Sequence, residues 1–322
     1  MSGQGQLVLL CPGQGAQKVG MGRTWADSCP AAAQTFAAAD EALAGLDAFG
    51  DVPLSARCFD GPSEHLDRTD IAQPALFTCA VASWQGLLER NESGTVVAGA
   101  GLSLGEYTAL HLAGAFTFVD ALRLVALRGR LMQQAAESSE GGMVALIGAD
   151  EAKAEELAAA ARGGGVLVCA NFNAPGQIVL SGDRSACERA VEKAGELGVR
   201  ATPLQVAGAF HSPLMQPAAD GLAEALAKVE IRDPRFPVWS NVTARPHEKG
   251  DPDALRKRLV EQLVKPVRWS QGCEDLIAAV HGGDGNFPPT FHELAPGTVL
   301  RGLMRRIDRT CEVISHDGPP DA

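Results

Sequence analysis

The chain has 322 residues, 46% of them hydrophobic and 21% charged, with a formal net charge of -11. That balance belongs to a globular protein with room for one large domain or two smaller ones. The acidic excess argues against nucleic acid and against an anionic membrane surface as partners.

Residues 6–11 form a short apolar run that reads as the first buried strand rather than a signal peptide. It leads into Pro12-Gly13-Gln14-Gly15-Ala16-Gln17, a tight turn without Gly-Lys-Ser/Thr or Gly-x-Gly-x-x-Gly. The turn is either a plain strand-to-helix connection or a place where a backbone N–H faces an active site. Residues 24–47 are Ala-rich and helical, 50–70 are loop or short helix, and 71–90 are expected to be helical.

Residues 95–113 carry the sharpest signal. Val96, Val97 and Ala98 form a strand-like run, Gly101-Leu102-Ser103-Leu104-Gly105 a bend, and the following residues a helix. This is the context that a Gly-x-Ser-x-Gly nucleophile elbow requires. Small residues flank the serine because the sharp turn crowds the backbone, and the helix start leaves N–H groups free beside it. A bare match of this motif can also be an ordinary turn that contains serine.

Residues 117–136 read as an amphipathic helix. At 100° per residue, Leu124, Val125 and Met132 lie within about 60° of Ala121. Arg123 and Arg130 fall on the opposite face, but Arg128 falls inside the apolar stripe. A charge there needs an anion, either an internal Asp or Glu or the carboxylate of a substrate.

Residues 141–207 have strand-like runs at 142–148, 166–170, 177–181 and 200–206, with helices at 151–162 and 185–197. The order βαββαβ is the ferredoxin-like signature of one small inserted unit. His211 follows at the junction back to the larger unit, where it is either a structural histidine or a base for Ser103. A strand at 237–242, a helix at 252–263, a Gly/Pro-rich loop at 281–289, a strand at 290–294 and a last helix ending near 307 complete the pattern. The polar tail 317–322 is expected to be disordered. The eight cysteines contain no Cys-x-x-Cys pair, so no zinc site is expected. They read as reduced core thiols of a cytoplasmic protein.

Several of these stretches, together with Leu127-Arg128-Gly129-Arg130-Leu131-Met132, Asn171-Phe172-Asn173-Ala174-Pro175-Gly176-Gln177, Phe210-His211-Ser212-Pro213-Leu214-Met215 and Leu294-Ala295-Pro296-Gly297-Thr298-Val299-Leu300, occur in the order of one family. Over about residues 6–308 the chain resembles the malonyl-CoA:acyl carrier protein transacylases. The resemblance implies an α/β-hydrolase-like core with a parallel sheet, at 1–138 and 208–322, and an inserted ferredoxin-like subdomain at 139–207. It implies Ser103 as nucleophile, His211 as general base, Arg128 as the holder of a malonyl carboxylate, and the backbone N–H groups of Gln14 and Leu104 as an oxyanion hole. A backbone carbonyl, placed near Arg268, would orient the histidine in place of an acid. Gln73, Asn173 and Asn241 resemble pocket-lining positions, and Phe210 resembles the malonyl-selective pattern. Leu102 departs from the family, many of whose members have His there.

The implied reaction moves malonyl from malonyl-CoA to the phosphopantetheine thiol of acyl carrier protein through a malonyl-serine, for fatty acid or polyketide synthesis. No cofactor or metal is implied, and the protein is expected to be a monomer. The clusters Arg256/Lys257/Arg258 and Arg301/Arg305/Arg306 are candidate docking patches for the carrier, or simply solvated helix faces. The rival readings are a serine thioesterase or esterase that passes the acyl group to water, and a non-catalytic binding module.

Overall fold

The computed structural model describes residues 5–281 and 288–320. The strands are β1 (Gln6–Cys11), β2 (Thr95–Gly101), β3 (Gly141–Ile147), β4 (Leu167–Ala174), β5 (Gln177–Asp183), β6 (Arg200–Pro203), β7 (Val238–Trp239), β8 (Thr290–Leu294) and β9 (Val313–His316). The helices are α1 (Arg23–Ser28), α2 (Pro30–Leu43), α3 (Leu54–Asp60), α4 (Ser63–Leu66), α5 (Thr69–Glu89), α6 (Leu104–Leu112) and α7 (Phe118–Glu137) in the first half. The second half adds α8 (Glu151–Arg162), α9 (Arg184–Ala194), α10 (Gln216–Leu226), α11 (Pro252–Glu261), α12 (Trp269–His281) and α13 (Val299–Ile307).

Two sheets organise the chain. The first is parallel, in the order β7-β2-β1-β8-β9. Its central strand β1 is buried from Leu7 to Cys11, because helices cover both faces and leave no polar side. The register Cys11↔Gly101 sets the end of β1 level with the end of β2. The turns that leave the two strands therefore meet at one edge, where open α/β sheets carry their sites.

The second sheet is antiparallel, in the order β4-β5-β3-β6. With α8 and α9 packed on it, it has the ferredoxin-like arrangement. Helix α9 stops through the short turn Gly195–Leu197, and Gly198 takes the left-handed conformation with φ of 65°.

Some elements differ from the sequence reading. The strand expected at 237–242 is only Val238–Trp239, since Ser240 to Thr243 turn back and Ala244 N–H donates to the Ser240 carbonyl at 2.9 Å. Strand β9 was not anticipated; it is four residues long and extends the edge of the parallel sheet beside β8. The tail is not disordered at its start. Asp317 accepts from Gly297 N–H at 2.7 Å and from Lys18 Nζ at 2.6 Å, and Pro319 is buried. Most of the loop at 281–289 lies outside the described residues.

Candidate active site

Strand β2 and helix α6 meet at Ser103, with φ of 52° and ψ of -102°. A non-glycine residue there is strained, and such strain persists only where the surroundings force it. A Cβ on Gly101 would overlap the Gly105 carbonyl, and one on Gly105 would overlap the Cys11 carbonyl. The two glycines are therefore required by close packing of the elbow against β1 and against itself. Leu102 N–H donates to the Cys11 carbonyl at 3.1 Å, which fastens the elbow to the 12–17 turn.

His211 also has a positive φ, of 55°. Its ring reaches Ser103, with Nε2 2.9 Å from Oγ, although 108 positions separate the two residues. On the other side Nδ1 donates to the Gln262 carbonyl at 2.7 Å. That bond fixes the tautomer: with the proton on Nδ1, the Nε2 lone pair faces the serine hydroxyl. The carbonyl expected near Arg268 thus belongs to Gln262, because the chain leaving α11 turns in under the histidine. Arg268 instead donates its backbone N–H to the Asn241 carbonyl at 2.8 Å. Burial first, and then the nearby Arg128 charge, pull the His211 pKa down from 6.5 to about 4, against a smaller upward pull from the Gln262 bond. The ring is neutral near neutral pH and able to take a proton.

Arg128 lies on the buried face of α7 and is 1% exposed, whereas Arg123 and Arg130 on the same helix are exposed. No carboxylate pairs with it among the described residues. Its Nη1 donates to Gln73 Oε1 at 2.7 Å, and its Nη2 to Gln262 Oε1 at 2.9 Å and to Ser103 Oγ at 3.0 Å. Its Nε has no partner, and the guanidinium stands 5.4 Å from the centre of the Tyr107 ring. Burial lowers its pKa from the usual arginine value. A buried cation satisfied only by neutral groups is an incomplete ion pair.

These groups open onto a cavity of about 610 Å³ lined by Ser103, His211, Arg128, Gln14, Leu104 and Phe210, with Met143, Asn173 and Val179 of the antiparallel sheet as a facing wall. The Asn173 Oδ1 is buried without a partner. The backbone N–H groups of Gln14 and Leu104 make no hydrogen bond among the described residues. Gln73 and Asn241 do not line the cavity. Gln73 is fully buried behind Arg128. Asn241 sits behind the elbow, where its Oδ1 accepts from Ser103 N–H at 2.6 Å and its Nδ2 donates to the Gly101 carbonyl at 2.8 Å. Their amides are spent on holding other residues.

Sequence reasoning passed over Gln262, Glu106 and His247. Gln262 bonds to Arg128 and, through its Nε2, to the Ser103 carbonyl at 3.0 Å and to Glu106 at 2.6 Å. Nothing in the local pattern of α11 marks it. Glu106 directly follows the elbow motif and was the one available signal.

Fold and site together define an α/β-hydrolase-like protein with a serine–histidine pair beside a sunken guanidinium. Residues 8–301 match the family model of the acyl transferase domain, and the chain belongs to that family. It is 42% identical over 319 residues to the malonyl CoA-acyl carrier protein transacylase of Bacillus subtilis, covering 98% of this chain and 94% of that protein. The crystal structure of the malonyl-CoA:acyl carrier protein transacylase from Xanthomonas oryzae superposes with a TM-score of 0.89 at 41% identity, covering 99% of this chain and 96% of the other. A structure of a type II PKS acyl-carrier protein in complex with its malonyl-transacylase superposes with a TM-score of 0.88 at 37% identity, covering 98% and 96%.

Proposed function

We infer that this chain is an acyltransferase that moves malonyl from malonyl-CoA to the phosphopantetheine thiol of acyl carrier protein. The observation that carries the reading is the 2.9 Å contact of Ser103 with His211, next to an arginine that pairs directly with no carboxylate among the described residues. A serine hydrolase needs the first feature only; a transferase of a dicarboxylic acyl group needs both.

His211 takes the Ser103 proton as Oγ attacks the thioester carbonyl. The oxyanion is held by the N–H groups of Gln14 and Leu104, and one such donor contributes about 3–4 kcal/mol. CoA leaves with the proton from His211, and a malonyl-serine ester remains. The carrier's thiol then attacks that ester with His211 again as base, so the kinetics are ping-pong. Arg128 Nη2 exchanges its bond to Ser103 Oγ for the malonyl carboxylate, and Phe210 limits the room beside it.

For the carrier, the two arginines of the α11 cluster are already engaged. Arg256 donates to the Leu226 and Val229 carbonyls at 3.0 and 2.9 Å, and Arg258 pairs with Glu261 at 2.8 Å. Arg305, Arg306 and Arg309 are exposed around a separate cleft on α13 and have no ion pair among the described residues. Val299 and Leu303, on the same helix, line the cavity. This face supports docking of an acidic carrier. The eight free cysteines support a reducing, cytoplasmic setting.

Intact-mass measurement after mixing with malonyl-CoA alone tests the reading. The wild type is expected to stall with one malonyl group on Ser103, and Ser103→Ala to stay unmodified. Steady release of malonate would instead establish the thioesterase, and absence of any adduct a binding module.

A further inference from the structure

Glu106 has no part in the scheme above, yet it is completely buried and fully bonded. It lies on α6 three residues after the nucleophile. Its Oε1 accepts from His247 Nε2 at 2.7 Å, and its Oε2 accepts from Asn241 N–H at 3.0 Å and Gln262 Nε2 at 2.6 Å. From this carboxylate two residues, Asn241 through its backbone N–H and Gln262 through its side-chain amide, lead to the reacting groups. Asn241 carries one path to the Ser103 N–H. Gln262 carries the other to the Arg128 guanidinium, while its carbonyl holds His211.

The Gln262 amide can sit only one way round. Its nitrogen faces two acceptors, the Ser103 carbonyl and Glu106, and its oxygen faces the Arg128 Nη2. An anion and a cation are thus joined through a neutral amide instead of meeting directly. A direct pair would occupy the guanidinium and close it to a substrate carboxylate. At one remove, the negative charge still offsets part of the cost of burying Arg128 and leaves its cavity side open.

Resting on the transferase reading above, we propose that Glu106 is a positioning residue: an indirect counter-charge that holds Arg128 in place through Gln262 and moderates its pull on the acyl carboxylate. A carboxylate bound to Arg128 also feels repulsion from Glu106, which limits how tightly malonyl substrate and product are held.

Glu106→Gln removes the charge and keeps the shape. The new amide oxygen can accept from Asn241 and Gln262, and its nitrogen can donate to His247 in the other tautomer. The variant is expected to lower KM for malonyl-CoA about three- to tenfold and to change KM for acetyl-CoA less than about twofold, by removal of that repulsion. Its melting temperature is expected to fall by about 4 °C or more, and by less than about 1 °C when the same change is made in Arg128→Met. Tighter binding of one acyl group does not arise from damage to the fold. A rise in KM for both acyl groups, or a melting loss that persists without Arg128, overturns the proposal. Should Glu106→Gln alone be too unstable to purify, the double variant is expected to be recovered folded, and failure to recover it counts against the proposal equally. A wild type that takes no malonyl from malonyl-CoA defeats the transferase reading, while the melting cycle still decides whether Glu106 and Arg128 are coupled.

Discussion

Arg128→Ala separates recognition of the acyl group from attack on it. The guanidinium is 1% exposed and offers the substrate carboxylate a site already stripped of water. Without it that carboxylate is buried unpaired, at a cost of about 3–5 kcal/mol. At 1.36 kcal/mol per tenfold, this is a loss of about two to nearly four powers of ten in kcat/KM for malonyl-CoA. Acetyl-CoA carries no carboxylate, so its transfer to Ser103 should fall far less, or rise as the cavity becomes roomier. The substitution also strips Gln73 Oε1 and Gln262 Oε1 of a donor, each costing about 1–3 kcal/mol of stability. A melting curve must therefore accompany the kinetics. The assay is the rate of Ser103 acylation, read by intact mass at low concentrations of each acyl-CoA. Equal losses for malonyl and acetyl in a folded variant would refute the clamp.

With His211 as the proposed base, the acid limb of kcat/KM should lie near pH 4, since burial lowers its pKa from 6.5 to about 4, and Arg128→Ala should move that limb upward for acetyl transfer by removing a neighbouring cation. Stability should follow the same groups. His211 and His316 both have folded pKa values lowered to about 4, so the unfolded chain takes up protons first as the pH falls below 6.5. Their contribution is intact above 6.5 and is lost as the pH drops through 4, which a series of melts across that window checks. Gly105→Ala should yield little folded protein, because the added methyl overlaps the end of β1; a soluble, active variant would contradict the packing account. Reversing Arg305, Arg306 and Arg309 to Glu should slow transfer to carrier protein at least about tenfold, as interfacial charge pairs are worth 1.4 kcal/mol or more, and leave acylation by malonyl-CoA unchanged. Unchanged carrier transfer would move the docking surface elsewhere.

Where a local pattern carries the physics, the sequence was readable. The apolar run before Gly101 and the helix after Ser103 define the elbow, because steric crowding leaves few residue types able to stand there. The arginine inside an apolar stripe was visible from helix geometry alone, since α7 is long and regular. Alternation of strand and helix gave the second sheet. What could not be read is the set of contacts made across the chain. Gln262 is 159 positions from Ser103 and acts through its own carbonyl as much as its side chain. A backbone oxygen has no signature in the residue letters. The family resemblance puts Gln73 and Asn241 on pocket walls; the structure spends both amides on Arg128 and on the elbow. Strand β9 is too short to show a period, and only its pairing with β8 makes it a strand.

One feature of the cavity bears on how such an enzyme can diversify. Ser103, His211, Arg128 and Gln262 are all set by the half of the chain built on parallel strands, whereas Met143, Asn173 and Val179 in the opposite wall stand on antiparallel ones. Shape on one side and reactivity on the other are encoded by separate stretches of polypeptide. Changes at Met143 or Val179 can therefore reset the breadth of acyl chain admitted while the proton-transfer geometry stays untouched.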